Sequence, residues 1–155
     1  MLEALNKAIE MEIEGRQFYL DSAAIVKNPL VRQALGYLAE DEEYHAEKFK
    51  EIFEELSLNP NWTESMAACN FPIQKPITFP KRSAEEVGSR HDLEVMRTVL
   101  RLEKIGIDYY TRLAKEAGNP LAKAFFGRLA LEEQSHYEKI SHLLNFIEVN
   151  LAIPD

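Results

Sequence analysis

Glu42-Glu43-Tyr44-His45-Ala46-Glu47-Lys48 returns 91 positions later as Glu133-Gln134-Ser135-His136-Tyr137-Glu138-Lys139. Each stretch holds a Glu-x-x-His pair followed by Glu-Lys. Residues three apart on a helix project the same way, so each pair aims an oxygen and a nitrogen ligand at one point. The echo extends upstream: Glu12 precedes Glu42 by 30 residues, and Glu103 precedes Glu133 by 30. Gly15 matches Gly106, Tyr19 matches Tyr110, and Asn28-Pro29-Leu30 matches Asn119-Pro120-Leu121. The chain therefore contains two copies of one unit, each with half of a ligand set. Two half sets predict a dinuclear metal site.

Apolar residues recur at helical steps of three and four almost throughout. Helices are predicted at about 2–27, 29–57, from between 84 and 92 to 117, and 120–150. Asn28-Pro29 and Gly118-Asn119-Pro120 are the turns, since proline restricts its predecessor and suits the first turn of a new helix. Ser83 with Glu86, or Ser89 with Asp92, can form the capping box that opens the third helix. Between the hairpins, about 58–91, lie Pro60, Pro72, Pro76 and Pro80 with no sustained period, which reads as a long crossover. Short turns force antiparallel neighbours. The expected fold is all-α: one domain over 1–155, an antiparallel four-helix bundle of two helical hairpins joined by that crossover.

The candidate ligands lie in apolar seams. Glu42 and His45 fall between Leu38 and Phe49, and Glu133 and His136 fall between Leu129 and Ile140. Height along the bundle agrees. Glu12 and Glu42 are equidistant from residue 27, and Glu103 and Glu133 from residue 118. Each glutamate is about 15 residues from its turn, roughly 22 Å along the axis. All four should meet in one layer. A buried carboxylate costs many kcal/mol unless it protonates or finds a cation. Two divalent ions would neutralise four glutamates, with both histidines neutral. Oxygen and imidazole ligands suit iron, manganese or zinc.

Other residues have plainer readings. His91 and His142 lack a glutamate three positions earlier and read as ordinary surface or loop histidines. Of the acidic run Glu40-Asp41-Glu42-Glu43, only Glu42 lies in the seam; the rest reads as solvated face. Tyr19 and Tyr110 have two readings. Each is a core aromatic whose hydroxyl needs a partner, or each hydrogen-bonds a ligand carboxylate of the opposite half and so supports the metal site. Gly15 and Gly106 cost their helices about 1 kcal/mol each against alanine, so their recurrence implies a need for room, for helix contact or for a small oxidant. Trp62 and Cys69 fall in the crossover with no evident role.

Composition narrows the partners. A formal net charge of −8 disfavours nucleic acid, which needs a basic surface. No 18-residue apolar run exists, so no membrane span is expected. The opening Met1-Leu2-Glu3 does not read as a signal peptide, and a cytoplasmic location is expected. One cysteine excludes an intramolecular disulfide or a multi-cysteine cluster.

At the Glu12, Glu42-x-x-His45, Glu103, Glu133-x-x-His136 arrangement the chain resembles the ferritin-like superfamily, and most of all the di-iron domain of the rubrerythrins. The resemblance implies a centre of two iron ions, with Glu42 and Glu133 bridging, Glu12 and His45 completing one iron, and Glu103 and His136 the other. The same six would be the catalytic residues. It implies an oxidoreductase that reduces hydrogen peroxide or dioxygen with electrons from an external donor. The alternatives are a non-catalytic iron binder or a ferroxidase-type storage protein, or a site holding manganese or zinc. Rubrerythrins usually carry a four-cysteine rubredoxin domain, which one cysteine cannot build, so the implied donor is a separate rubredoxin-like protein. Where they place a further glutamate on the third helix this chain has Gly106, which implies a symmetric centre. A homo-oligomer, with a dimer favoured, is expected.

Overall fold

Asn28 and Asn119, one before each turn proline, shape the two hairpins in the same way. Asn28 Oδ1 accepts hydrogen bonds from the Leu30 and Val31 amides, and Asn119 Oδ1 accepts one from Leu121. These asparagines satisfy amides that the helix starts leave without partners. In the computed structural model, which describes residues 1–59 and 89–150, four helices result. They are α1 (Leu2–Ile25), α2 (Pro29–Leu58), α3 (Arg90–Glu116) and α4 (Pro120–Asn150). Helix α1 ends two residues earlier than its periodicity predicts. Val26 and Asn28 are extended, and the residue before proline is held out of helical geometry. The expected crossover with Trp62 and Cys69, and the Ser83–Glu86 capping box, lie almost wholly outside the described residues. No strand occurs among the described residues, and no described helix is long and apolar enough to cross a membrane.

Helix α3 opens on the second of the two candidate capping boxes. Ser89 Oγ accepts from the Asp92 amide at 3.1 Å, and Asp92 Oδ2 accepts from the Ser89 amide at 3.3 Å. Asp92 is buried because it also serves the other hairpin, taking the Lys27 and Asn28 amides at 3.0 Å each. One carboxylate thus ties the start of α3 to the α1–α2 turn.

The core has two apolar parts. Val26, Leu30, Leu35, Met96, Leu143 and Ile147 fill one end of the bundle. Leu5, Ile52, Phe126 and Leu129 fill the other. Helix α2 therefore ends, and α3 begins, at opposite ends of the bundle, and α1 runs antiparallel to both α2 and α3. The result is the antiparallel four-helix bundle expected. Between the two apolar parts lies a layer of buried charge: Glu12, Glu42, His45, Glu103, Glu133 and His136 are each 5 % exposed or less.

Candidate metal centre

Each helix contributes to this layer through the register read above. Helix α1 supplies Glu12, α2 supplies Glu42 and His45, α3 supplies Glu103, and α4 supplies Glu133 and His136. The two hairpins bring their ligands together, with the His45 and His136 rings side by side and centroids 6.1 Å apart. Two overlapping groups form. Donor atoms of Glu12, Glu42, His45 and Glu133 lie within 4.8 Å of one another, as do those of Glu42, Glu103, Glu133 and His136. Glu42 and Glu133 belong to both groups.

The charge balance is strained. Burial first, and then the charges of Glu12 and Glu133, push the Glu42 carboxyl well above the usual carboxylate range. Burial, and then Glu103 and Glu12, do the same to Glu133. Burial would raise Glu12 too, but its hydrogen bonds with Glu42, His45 and Tyr110 and the charge of His45 together leave it below the usual range. His45 Nδ1 stands 3.2 Å from Glu12 Oε2. Burial opposes the charge on His136, yet Glu103 beside it and the hydrogen bond to Asp41 raise its basicity well above that of a free imidazole. Burial and mutual repulsion thus favour a proton, or a cation, on Glu42 and Glu133.

The residues fit a pair of divalent ions. Glu103 Oε2, Glu133 Oε1 and His136 Nδ1 are buried without a hydrogen-bond partner, and all three residues belong to one four-residue group. His136 Nδ1 is 3.5 Å from Glu103 Oε2, a long separation for a hydrogen bond. Buried polar atoms rarely stay unpaired, and a bound ion is one thing that accounts for a converging set of them. A donor set of carboxylates and imidazoles, without thiolate, suits a first-row divalent metal.

Both tyrosines reach across the bundle. Tyr19 donates its hydroxyl to Glu103 Oε1 at 2.5 Å, and Tyr110 donates to Glu12 Oε1. Of the two readings open in the sequence, the hydrogen bond to the opposite half is the one found. Burial, and then the neighbouring carboxylates, push both phenols well above their usual range, so they stay protonated donors.

Asp41 corrects the reading of its acidic run as solvated face. Its side chain is 23 % exposed, and Oδ2 lies 3.2 Å from His136 Nε2. This bond turns the opposite ring edge, Nδ1, toward Glu103. Burial raises the Asp41 carboxyl and the hydrogen bond to His136 lowers it; the net effect is below the usual range. His91 and His142 are exposed, as expected of ordinary histidines.

The two repeated glycines sit over the carboxylates. A Cβ built on Gly15 would meet Glu42 only at 3.9 Å, whereas one on Gly106 would lie 2.8 Å from Glu133 Oε2. Between α1 and α3 a cavity of about 400 Å³ reaches Glu12, Glu42 and Glu133 past these glycines.

A four-helix bundle that gathers a glutamate from each of two helices and a Glu-x-x-His pair from each of the other two defines the class of dinuclear carboxylate bundles. The rubrerythrin family model matches residues 3–144, and the chain belongs to that family. Its fold is similar to that of a hypothetical protein from Pyrococcus furiosus, with a TM-score of 0.69 and 22 % identity over 97 % of this chain and 92 % of that one. No curated protein matches.

Proposed function

We propose that this protein is a non-haem di-iron oxidoreductase that reduces hydrogen peroxide or dioxygen with electrons from an external donor such as a rubredoxin-like protein. The observation that carries the reading is that Glu42 and Glu133 each belong to both metal-sized groups. Two ions sharing those carboxylates, with Glu12 and His45 on one and Glu103 and His136 on the other, would use every donor in the layer. When bound, a pair of irons supplies two electrons to an oxygen–oxygen bond. Family membership supports iron over manganese or zinc.

The chain's own groups have separable tasks. Glu42 and Glu133, which belong to both donor groups, would hold both ions and so would govern both positions together. Tyr19 and Tyr110 hold one oxygen each of Glu103 and Glu12, leaving the second oxygen for a metal. Asp41 orients His136 with Nδ1 inward. The apolar parts above and below exclude bulk water from the layer, which strengthens charge interactions within it. The cavity beside Gly15 and Gly106 admits the oxidant.

Anaerobic ferrous loading followed by stopped-flow mixing tests the proposal. The expected result is about two irons per chain, oxidised faster by peroxide than by dioxygen. Fewer than about one iron per chain overturns it. Faster oxidation by dioxygen, with growth of an iron core, would instead identify a storage ferroxidase.

A further inference from the structure

The cavity between α1 and α3 is too large for the oxidant alone. At about 400 Å³ it reaches the range of roughly 300–1,000 Å³ that holds small organic ligands, whereas one water occupies about 30 Å³ of liquid. Its walls are the side chains of Met11 and Phe18 on α1 and Leu102 and Ile105 on α3. Of the charged lining residues, the two outside the carboxylate layer, Lys7 and Glu14, are exposed and opposite in sign, so the outer part of the cavity does not select for an anion or a cation. The floor is Glu12, Glu42 and Glu133. Gly15 and Gly106 leave no side chain between the apolar walls and that floor. A molecule matching this profile has a hydrocarbon body and a small, neutral, oxygen-bearing head.

Building on the di-iron reading, we propose that the cavity is a substrate pocket for alkyl or aryl hydroperoxides, with the hydrocarbon between α1 and α3 and the peroxide at the carboxylate floor. The reaction consumes one hydroperoxide, two electrons and two protons. The O–O bond breaks, the carbon keeps one oxygen as an alcohol, and the other oxygen leaves as water. The electrons come from the external donor by way of the centre. Burying the hydrocarbon against Phe18 and Leu102 favours such a substrate over hydrogen peroxide, which touches none of the apolar wall.

Two measurements test this on the full chain. Zinc-loaded protein, which is redox-inert, is titrated with cumyl alcohol, the product expected from cumene hydroperoxide, and binding is followed by ligand-observed NMR. The expected Kd is on the order of 1 mM or tighter. Ile105→Trp, at a position 58 % exposed and therefore tolerant of substitution, should weaken it at least tenfold. Leu131→Trp, on α4 and outside the cavity, should not change it. Reduced iron-loaded protein is then mixed with cumene hydroperoxide or hydrogen peroxide at equal low concentration, and the organic peroxide should oxidise it faster. A Kd above about 10 mM, or equal binding by Ile105→Trp, overturns the pocket. Faster oxidation by hydrogen peroxide overturns the substrate assignment and leaves the di-iron reading intact. No oxidation by either peroxide overturns the substrate assignment and the peroxide half of the proposed function, whereas fewer than about one iron per chain overturns the di-iron reading itself.

Discussion

The α1–α2 and α3–α4 hairpins carry the same ligand types at the same spacing, yet their polar atoms are in different states. In the first, His45 Nδ1 and Glu12 Oε2 are at hydrogen-bond distance, 3.2 Å. In the second, the matching pair, His136 Nδ1 and Glu103 Oε2, stands 3.5 Å apart, and neither these atoms nor Glu133 Oε1 makes a well-formed hydrogen bond. The glycines differ as well, with Glu133 pressed against Gly106 and Glu42 clear of Gly15. Repetition in sequence therefore produced a matched set of donors without making the two halves equivalent. The Gly106 position, which suggested a symmetric centre, is where the halves diverge in packing.

Substitutions at the two carboxylates that belong to both donor groups should override this difference most strongly. Glu42→Ala and Glu133→Ala should each abolish tight binding of both metals, whereas Glu12→Ala and Glu103→Ala should each lose about one. Metal content after gel filtration checks this. Equal, small losses from all four would show that no carboxylate is shared.

Proton uptake comes next. In the metal-free protein Glu42 and Glu133 hold protons well above the usual carboxylate pKa, and His136 well above the usual imidazole value. A native state that binds more protons than the unfolded chain loses stability as pH rises. These contributions are fully present below about pH 4.5 for the glutamates and fade as pH climbs through their raised values. Glu12 and Asp41 have the opposite sign, but they act as pH falls below the ordinary carboxylate range. Urea midpoints of metal-free protein should therefore be higher at pH 5 than at pH 7.5. Zinc-loaded protein should reverse the order, because metal and protons compete for the same oxygens.

The crossed tyrosines measure how far each half depends on the other. Tyr19→Phe strips a buried donor from Glu103, and Tyr110→Phe strips one from Glu12. Each should cost about 2 kcal/mol in chemical denaturation of metal-loaded protein, the usual scale for a hydrogen bond to a charged group. If the second half is the less satisfied, Tyr19→Phe costs more.

The smallest effect separates the glycines. Gly15→Ala should stabilise the metal-free protein by about 1 kcal/mol, because its Cβ makes an ordinary contact and the helix gains. Gly106→Ala should gain less or nothing, since Glu133 must move, and should weaken metal binding on the order of tenfold, the scale of a disturbed ligand. Thermal unfolding and competitive chelation read both. Matching results would remove the packing asymmetry.

Much of this was legible in the sequence because helices convert spacing into position. The offset between repeats placed the four glutamates in one layer, and the Asn-Pro turns set the height of that layer. The seam positions of Tyr19 and Tyr110 marked them as core aromatics or as partners of the opposite half's carboxylates, without deciding between the two. Asp41 could not be read so, because its partner lies 95 residues away and is reached only once the hairpins have settled at a particular rotation. Next to Glu42 in an acidic run, it carries no periodic signal. The cavity was hidden for the same reason. Its volume depends on how far apart α1 and α3 stand, which no pattern within either helix encodes.

The exchanged hydroxyls also bear on ancestry. A polypeptide half as long, paired with a second copy of itself, would already own both crossings, because each tyrosine finds the other copy's glutamate. Fusing two such units into one gene would preserve the chemistry and release each from having to mirror its twin.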